Sequence, residues 1–214
     1  MGSLQAEIKP TDFVVPDQII DNTKGVRPFT FFEDGVVGHV GFADPFNARL
    51  AKVIKGCAKA MDGIVLHDKG TIIVIEGPQF STRAESNLYR SWGGTIIGMN
   101  AVPEAKLARE AEMAYQTVGM VTDYDCWHST EEVVNAEMVV QAMDANGENA
   151  AKLIEALLHR LTTVDEAEYE TTVMARDLKG GSLGATKSMT KSEWRNQGTV
   201  KRLQYLFPGF LEDT

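Results

Sequence analysis

At 214 residues the chain is long enough for one domain with a sizeable buried core. Its 43% apolar and 24% charged residues are ordinary for a soluble globular protein. A net charge of −9 argues against a nucleic-acid binder, which needs a basic surface for phosphate contacts, and suits a small-molecule ligand better.

Two cysteines, Cys57 and Cys126, offer neither a disulfide framework nor a zinc spacing, so a reducing compartment is expected. No apolar run approaches the ~18 residues of a membrane span, and the first residues lack a basic segment followed by a hydrophobic one. The chain is therefore read as intracellular, with no membrane and no nucleic-acid partner.

Phe13-Val14-Val15 and Ile19-Ile20 form the first apolar stretch. Pro16 between them predicts an edge strand or a bulge, because proline cannot donate to a ladder. Residues 22–42, rich in glycine and aromatic residues, read as a long surface loop. His39 lies in it, where a lone histidine is most often solvated. Phe46, Leu50, Val53, Ile54, Cys57 and Met61 recur at helical spacing and predict a helix to about Ala60. Asp44 is its expected N-cap and Pro45 its first helical residue, with Cys57 a core residue on the buried stripe.

Thr71-Ile72-Ile73-Val74-Ile75 is a continuous β-branched run of the kind buried on both faces of a parallel sheet. Ala84, Leu88 and Trp92 mark a helix, residues 95–99 the next strand, and Pro103-Glu104 the start of a helix through Ala114. Residues 117–121 are then a buried strand that stops abruptly at Thr122, Asp123 and Asp125. Strand, helix, strand, helix, strand over residues 71–125 implies right-handed crossovers and a parallel sheet covered on both faces.

In such sheets ligands bind beyond the carboxyl ends of the strands. Those ends are Glu76 to Ser81, Met99-Asn100 and Thr122 to Asp125, three unusual blocks on one rim. An extended backbone would point Asp123 and Asp125 the same way. The plain alternative is a solvated turn, or Asp123 capping the next helix.

Two helices follow, at about Glu131 to Met143 and Glu148 to Leu161, the second with Ile154, Leu157, Leu158 and Leu161 on one face. Asp165 to Glu170 is acidic and Lys179 to Lys191 is rich in Gly, Ser, Thr and Lys, so residues 164–191 read as a flexible insertion in which Lys187 and Lys191 are solvated. A last helix is expected from Ser192 as N-cap, weakened by Gly198. The expected arrangement is a single domain, with core 1–163, insertion 164–191 and C-terminal helix 192–214.

Glu76-Gly77-Pro78-Gln79-Phe80-Ser81-Thr82-Arg83-Ala84-Glu85, Met99-Asn100-Ala101-Val102-Pro103-Glu104 and Gly119 to Trp127 together resemble the methylthioadenosine phosphorylases of the purine nucleoside phosphorylase family, in that family's order and spacing. The resemblance implies a three-layer α/β fold, a mostly parallel mixed sheet flanked by helices. It implies phosphorolysis of 5′-methylthioadenosine to adenine and 5-methylthioribose 1-phosphate, in a homotrimer, in the cytoplasm and also the nucleus. The nucleophile is inorganic phosphate, a co-substrate, and neither cofactor nor metal is required.

Residue by residue, the resemblance implies that Asp123 assists the purine at N7, with Asp125 beside it. Free aspartate titrates near ~4, so Asp123 could donate a proton at neutral pH only if burial or a like charge such as Asp125 raised its pKa. Family members acting on 6-oxopurines carry Asn at that place, so Asp123 favours adenine. Phe80 would stack on the base, although a core phenylalanine is the plain alternative. Ser81 would lie beside the base and take part in substrate choice, with Thr122 and Tyr124 in the same pocket and Met99 beneath the ribose. His39 would reach the 5′-substituent pocket of a neighbouring subunit.

The chain departs from the family in three places. Asn100 stands where a Thr or Ser contacts phosphate, and an amide is a longer donor. Ala136 falls where Val is common near the 5′-methylthio pocket, so specificity is open there. The family's N-terminal third, with its first strands and Gly-rich phosphate loop, has no counterpart. Met1-Gly2-Ser3 then reads either as a cloning scar or, with Leu4, as the Gly-Ser-Leu that follows a central strand. Two further readings stay open: a purine nucleoside phosphorylase with relaxed 5′-specificity, and a truncated, non-catalytic nucleoside-binding or assembly partner.

Overall fold

The computed structural model describes residues 1–128, 136–173, 175–187 and 191–210. Its strands are β1 (Gly2–Ser3), β2 (Phe13–Val14), β3 (Gln18–Asn22), β4 (Leu66–His67), β5 (Thr71–Ile75), β6 (Ile96–Gly98), β7 (Gly119–Met120) and β8 (Asp123–Tyr124). The helices are α1 (Ala48–Lys59), α2 (Arg83–Ser91), α3 (Glu104–Glu110), α4 (Ala136–Thr162), α5 (Glu166–Thr172), α6 (Gly181–Lys187) and α7 (Gln197–Leu206). A five-stranded sheet has the order β3-β5-β6-β1-β8, and a three-stranded one the order β4-β2-β7.

The expected β-branched run is β5, and Ile72, Ile73 and Val74 are fully buried at its centre. It pairs in parallel with β3 and β6. The expectation of one parallel sheet through residue 125 fails at the last strand. β1 lies between β6 and β8, antiparallel to the first and parallel to the second, so β8 runs against β6. The apolar stretch 117–121 is also not one strand with Asp123. β7 belongs to the small sheet, antiparallel to β2, and the chain crosses to the large sheet at Val121-Thr122.

Ser3 and Leu4 are fully buried, and β1 is an interior strand of the large sheet, so these first residues are part of the packed fold. β2 is the centre of the small sheet, not an edge. Pro16 is tolerated because the ladder ends before it.

Helix α1 is capped by Asn47, whose side chain accepts from the Leu50 amide, and not by Asp44. Phe46 is pulled off the helix into the core, stacked on Tyr115 at 6.1 Å. In α2 a capping box joins Thr82 and Glu85, but the buried residues are Ser86 and Tyr89. Leu88 and Trp92, whose spacing marks the helix, lie on its exposed side. The two helices expected around Gly147 are one helix, α4, with Leu153 buried and Ile154 and Leu158 outside. The expected start at Glu131 lies outside the described residues.

Part of the segment read as a flexible insertion is helical, in α5 and α6. The Glu112 carboxylate ties it down, accepting from the Gly180 and Ser182 amides at 2.8 and 2.9 Å. Lys187 closes α6, and Lys191 lies 4.7 Å from the Trp194 ring centre. The C-terminal helix starts at Asn196, which accepts from the Gly198 and Thr199 amides, so Gly198 sits in the first turn and breaks nothing. Val200, Leu203, Phe207 and Phe210 pack on Phe32 and Val36, giving the long loop its own small core.

Candidate active site

The reversed direction of β8 is what assembles the site. Strands β5 and β6 bring their carboxyl ends to one rim, while β8 brings its beginning there: Asp123 is level with Gly2, and Gly2 with Ile97. A cavity of about 300 Å³ opens at this rim. Phe80 and Ser81 come from the loop after β5, Met99 and Asn100 from the end of β6, and Thr122, Asp123 and Asp125 from around β8. Met1, Gly2, Ile75, Ile97 and Gly98 complete the wall. That volume lies at the lower end of what small-molecule sites enclose.

Each wall element has a local reason for its shape. Gly77, at φ +73°, turns the chain out of β5, and a Cβ there would stand 2.5 Å from Met99 Sδ, so only glycine lets Met99 lie against the strand end. Cys126 donates through Sγ to the Ser81 carbonyl, and the Arg83 guanidinium donates to the Cys126 carbonyl. The Phe80-Ser81 loop is thereby fastened to the chain that follows Asp125. Trp127 Nε1 donates to the Ser3 carbonyl at 2.8 Å, bracing β1 beside β8.

The two carboxylates are almost fully buried, at 7% and 6% exposure for Asp123 and Asp125. Asp123 Oδ1 accepts from Thr122 Oγ1 at 2.6 Å. Asp125 Oδ2 and Ser81 Oγ are buried without a hydrogen-bond partner. Two orphaned polar atoms in one cavity wall are costly unless a ligand completes them. Burial pushes the Asp125 carboxyl above the usual aspartate range, and the neighbouring Asp123 charge pushes the same way.

Not every expected residue is here. The alternation that turns Asp123 and Asp125 inward turns Tyr124 outward: its hydroxyl donates to the Ala6 carbonyl and its ring stacks on His128 at 4.5 Å. Tyr124 is thus a packing residue rather than part of the wall. His39 is exposed on the long loop, and helix α7 contributes nothing to the wall. The Ala136 side chain lies outside the described residues. Among the described residues no group of three or more His, Cys, Asp or Glu side chains is gathered as a metal ion would need, and no helix is long and apolar enough to cross a membrane.

Residues 1–159 match the family model described as the phosphorylase superfamily. The chain belongs to the phosphorylase superfamily. Its mixed sheets flanked by helices are that superfamily's α/β fold. Among relatives, it is 65% identical to the S-methyl-5′-thioadenosine phosphorylase of Fusarium vanettenii, over all of this chain and 69% of that protein. Among solved structures, it resembles a methylthioadenosine phosphorylase from an Antarctic soil metagenomic library, with TM-score 0.77 and 41% identity over 97% of this chain and 69% of the other. The methylthioadenosine phosphorylase of Schistosoma mansoni, solved in complex with adenine, matches with TM-score 0.79 and 29% identity, covering 88% of this chain and 71% of that one. This superfamily member thus spans about two thirds of the length of the proteins it matches.

Gly2 is a wall residue that composition and spacing do not announce. A Cβ on it would lie 3.0 Å from Ile97 Cγ2, 3.2 Å from Asp123 Oδ2 and 3.3 Å from Asp125 Cβ. Gly2→Val is therefore expected to push the two carboxylates apart and to weaken nucleoside binding at least about tenfold while the sheet stays intact. Titration calorimetry checks it. Wild-type affinity in a folded Gly2→Val protein would show that the Asp123–Asp125 spacing does not matter for the ligand.

Proposed function

We propose that this chain catalyses phosphorolysis of 5′-methylthioadenosine to adenine and 5-methylthioribose 1-phosphate, a step of methionine and purine salvage. The observation that carries the reading is the single cavity that gathers Phe80, Ser81, Met99, Thr122, Asp123 and Asp125, with partnerless oxygens on Ser81 and Asp125. A purine is flat, apolar on its faces and polar at its edge. Half-exposed Phe80 offers a face to stack on, and the two aspartates offer an acceptor to the amino group and a carboxyl that can share a proton with N7.

In the reaction the bond from C1′ to the purine breaks and its electron pair leaves with the base. A phosphate oxygen forms the new bond to C1′. Asp123 supplies a hydrogen bond or proton at N7, where the charge develops. Met99 lies under the ribose, and the Asn100 amide meets the phosphate. Assembly as a homotrimer completes the 5′ pocket with His39 of a neighbour. Apolar Ile154 and Leu158, exposed on α4, are surface of the kind an assembly covers.

One observation favours a second reading, a chain that binds nucleosides without turning them over. Among the described residues no Lys, Arg or His side chain lines the cavity to meet a phosphate. Chromatographic detection of adenine from 5′-methylthioadenosine, with and without phosphate, decides between them. Phosphate-dependent release is the expected result. Saturable nucleoside binding with no adenine would establish the second reading, and a preference for inosine would contradict the role given to Asp123.

A further inference from the structure

Arg27 stands on the long loop, outside the cavity wall, yet its guanidinium is bonded throughout to the rim that carries the cavity. Nε donates to Glu76 Oε1 at 2.6 Å, and Nη2 donates to the Glu76 carbonyl at 2.8 Å and the Ile75 carbonyl at 3.5 Å. Nη1 donates to the Met99 and Val102 carbonyls, both at 2.7 Å. These carbonyls lie where β5 and β6 end, so the ladder leaves them in need of donors. Glu76 is held in turn: its Oε2 accepts from the Lys24 amide at 3.0 Å, and the Arg27 guanidinium keeps its carboxyl below the usual glutamate range.

The Nη1 pair straddles Asn100 and Ala101. Ala101 has φ +76° and is fully buried, a left-handed conformation that a residue with a Cβ adopts only when its surroundings impose it. A donor fixed to the carbonyls on either side is such a constraint. The same guanidinium thus grips the start of the loop that presents Phe80 and Ser81 and the turn that presents Met99 and Asn100.

We propose that Arg27 is a positioning residue for the reaction: its guanidinium locks loops 76–81 and 99–102 so that the base-stacking and ribose-facing sides of the cavity keep their spacing. This rests on the nucleoside phosphorylase reading given above. Arginine is needed because the planar fork serves several acceptors at fixed angles, which the point charge of a lysine cannot do. Asp123 stands on β8, which Arg27 does not touch, so loss of the fork acts on substrate binding more than on the leaving-group step.

The test compares wild type, Arg27→Ala, Arg27→Lys and Glu76→Gln by steady-state kinetics and by hydrogen exchange read segment by segment. Arg27→Ala and Arg27→Lys are expected to raise KM for the nucleoside about tenfold, with kcat within about threefold of wild type. Added methylguanidinium is expected to recover part of that loss in Arg27→Ala. Amides of residues 77–82 and 99–102 should exchange faster while those of β2 and β7 keep their protection. Glu76→Gln, which keeps one oxygen to accept from Arg27 Nε and loses the acceptor of the Lys24 amide, is expected to show the smaller change.

Wild-type KM with unchanged exchange in Arg27→Ala would overturn the proposal. So would exchange accelerated across the whole chain with no recovery by methylguanidinium, which is the signature of a merely structural residue. If wild type itself neither binds nor cleaves the nucleoside, the functional reading falls on that result, and the exchange pattern still decides whether Arg27 locks the two loops.

Discussion

Asp123→Asn is expected to lower the rate of adenine release from 5′-methylthioadenosine by about 10²–10⁴-fold, with a much smaller effect on KM. The side chain keeps its volume and its place at the head of β8, and the amide oxygen can still accept from Thr122 Oγ1, now at 2.6 Å from Asp123 Oδ1. What is lost is a carboxyl that can share its proton with N7 as negative charge develops on the departing base. That loss falls on the transition state rather than on the bound nucleoside. Steady-state kinetics on methylthioadenosine and inosine check it, since an amide that donates to a 6-oxo group should narrow or reverse the preference between them. A variant that retains turnover within about threefold would remove Asp123 from the leaving-group step.

Asp125→Asn is expected to show the opposite sign on stability and activity. Burial and the Asp123 charge raise the folded-state pKa of Asp125 above its unfolded value. The contribution of such a group to stability is fully present below its unfolded pKa and is lost as pH rises through the folded one. As pH rises through that folded pKa, the native protein comes to hold an ionised carboxylate whose Oδ2 is buried without a hydrogen-bond partner. An amide has no such charge to bury.

Thermal unfolding from pH 4 to pH 8 should therefore show Asp125→Asn melting higher than wild type at the alkaline end, the two converging toward pH 4. Adenine release should fall at least about tenfold, because the acceptor presented to the substrate has changed. Parallel pH profiles for the two proteins would mean that Asp125 is not the destabilising group. The destabilisation is what a preorganised site costs when its ligand is absent.

The cavity wall was legible in the sequence where its residues leave a local mark. Thr71 to Ile75 is apolar without interruption, and only burial on both faces accounts for that. Gly77, Met99 and Asp123 stand where apolar runs stop, and the period of two along a strand put Asp123 and Asp125 on one face. The same period should have turned Tyr124 away, and its placement among substrate contacts came from the resemblance alone. Helix faces were read less well. Leu88, Trp92, Ile154 and Leu158 are apolar yet exposed, because periodicity finds an apolar stripe without saying what stands against it.

Sequence alone determined that β5 and β6 end at one rim and that Asp123 and Asp125 share a face, since hydrophobic run length, turn residues and alternation are properties of neighbouring residues. Tertiary structure alone decided the direction of β8, the insertion of β1 between β6 and β8, and the need for glycine at position 2. It also decided the part played by Arg27, whose acceptors lie 48 to 75 residues away in the chain. Glycine at position 2 is a matter of space beside Ile97, Asp123 and Asp125, and the other three share one physical reason. Backbone groups must find partners wherever the folded chain leaves them free, and which groups are left free is settled only once every strand has been placed.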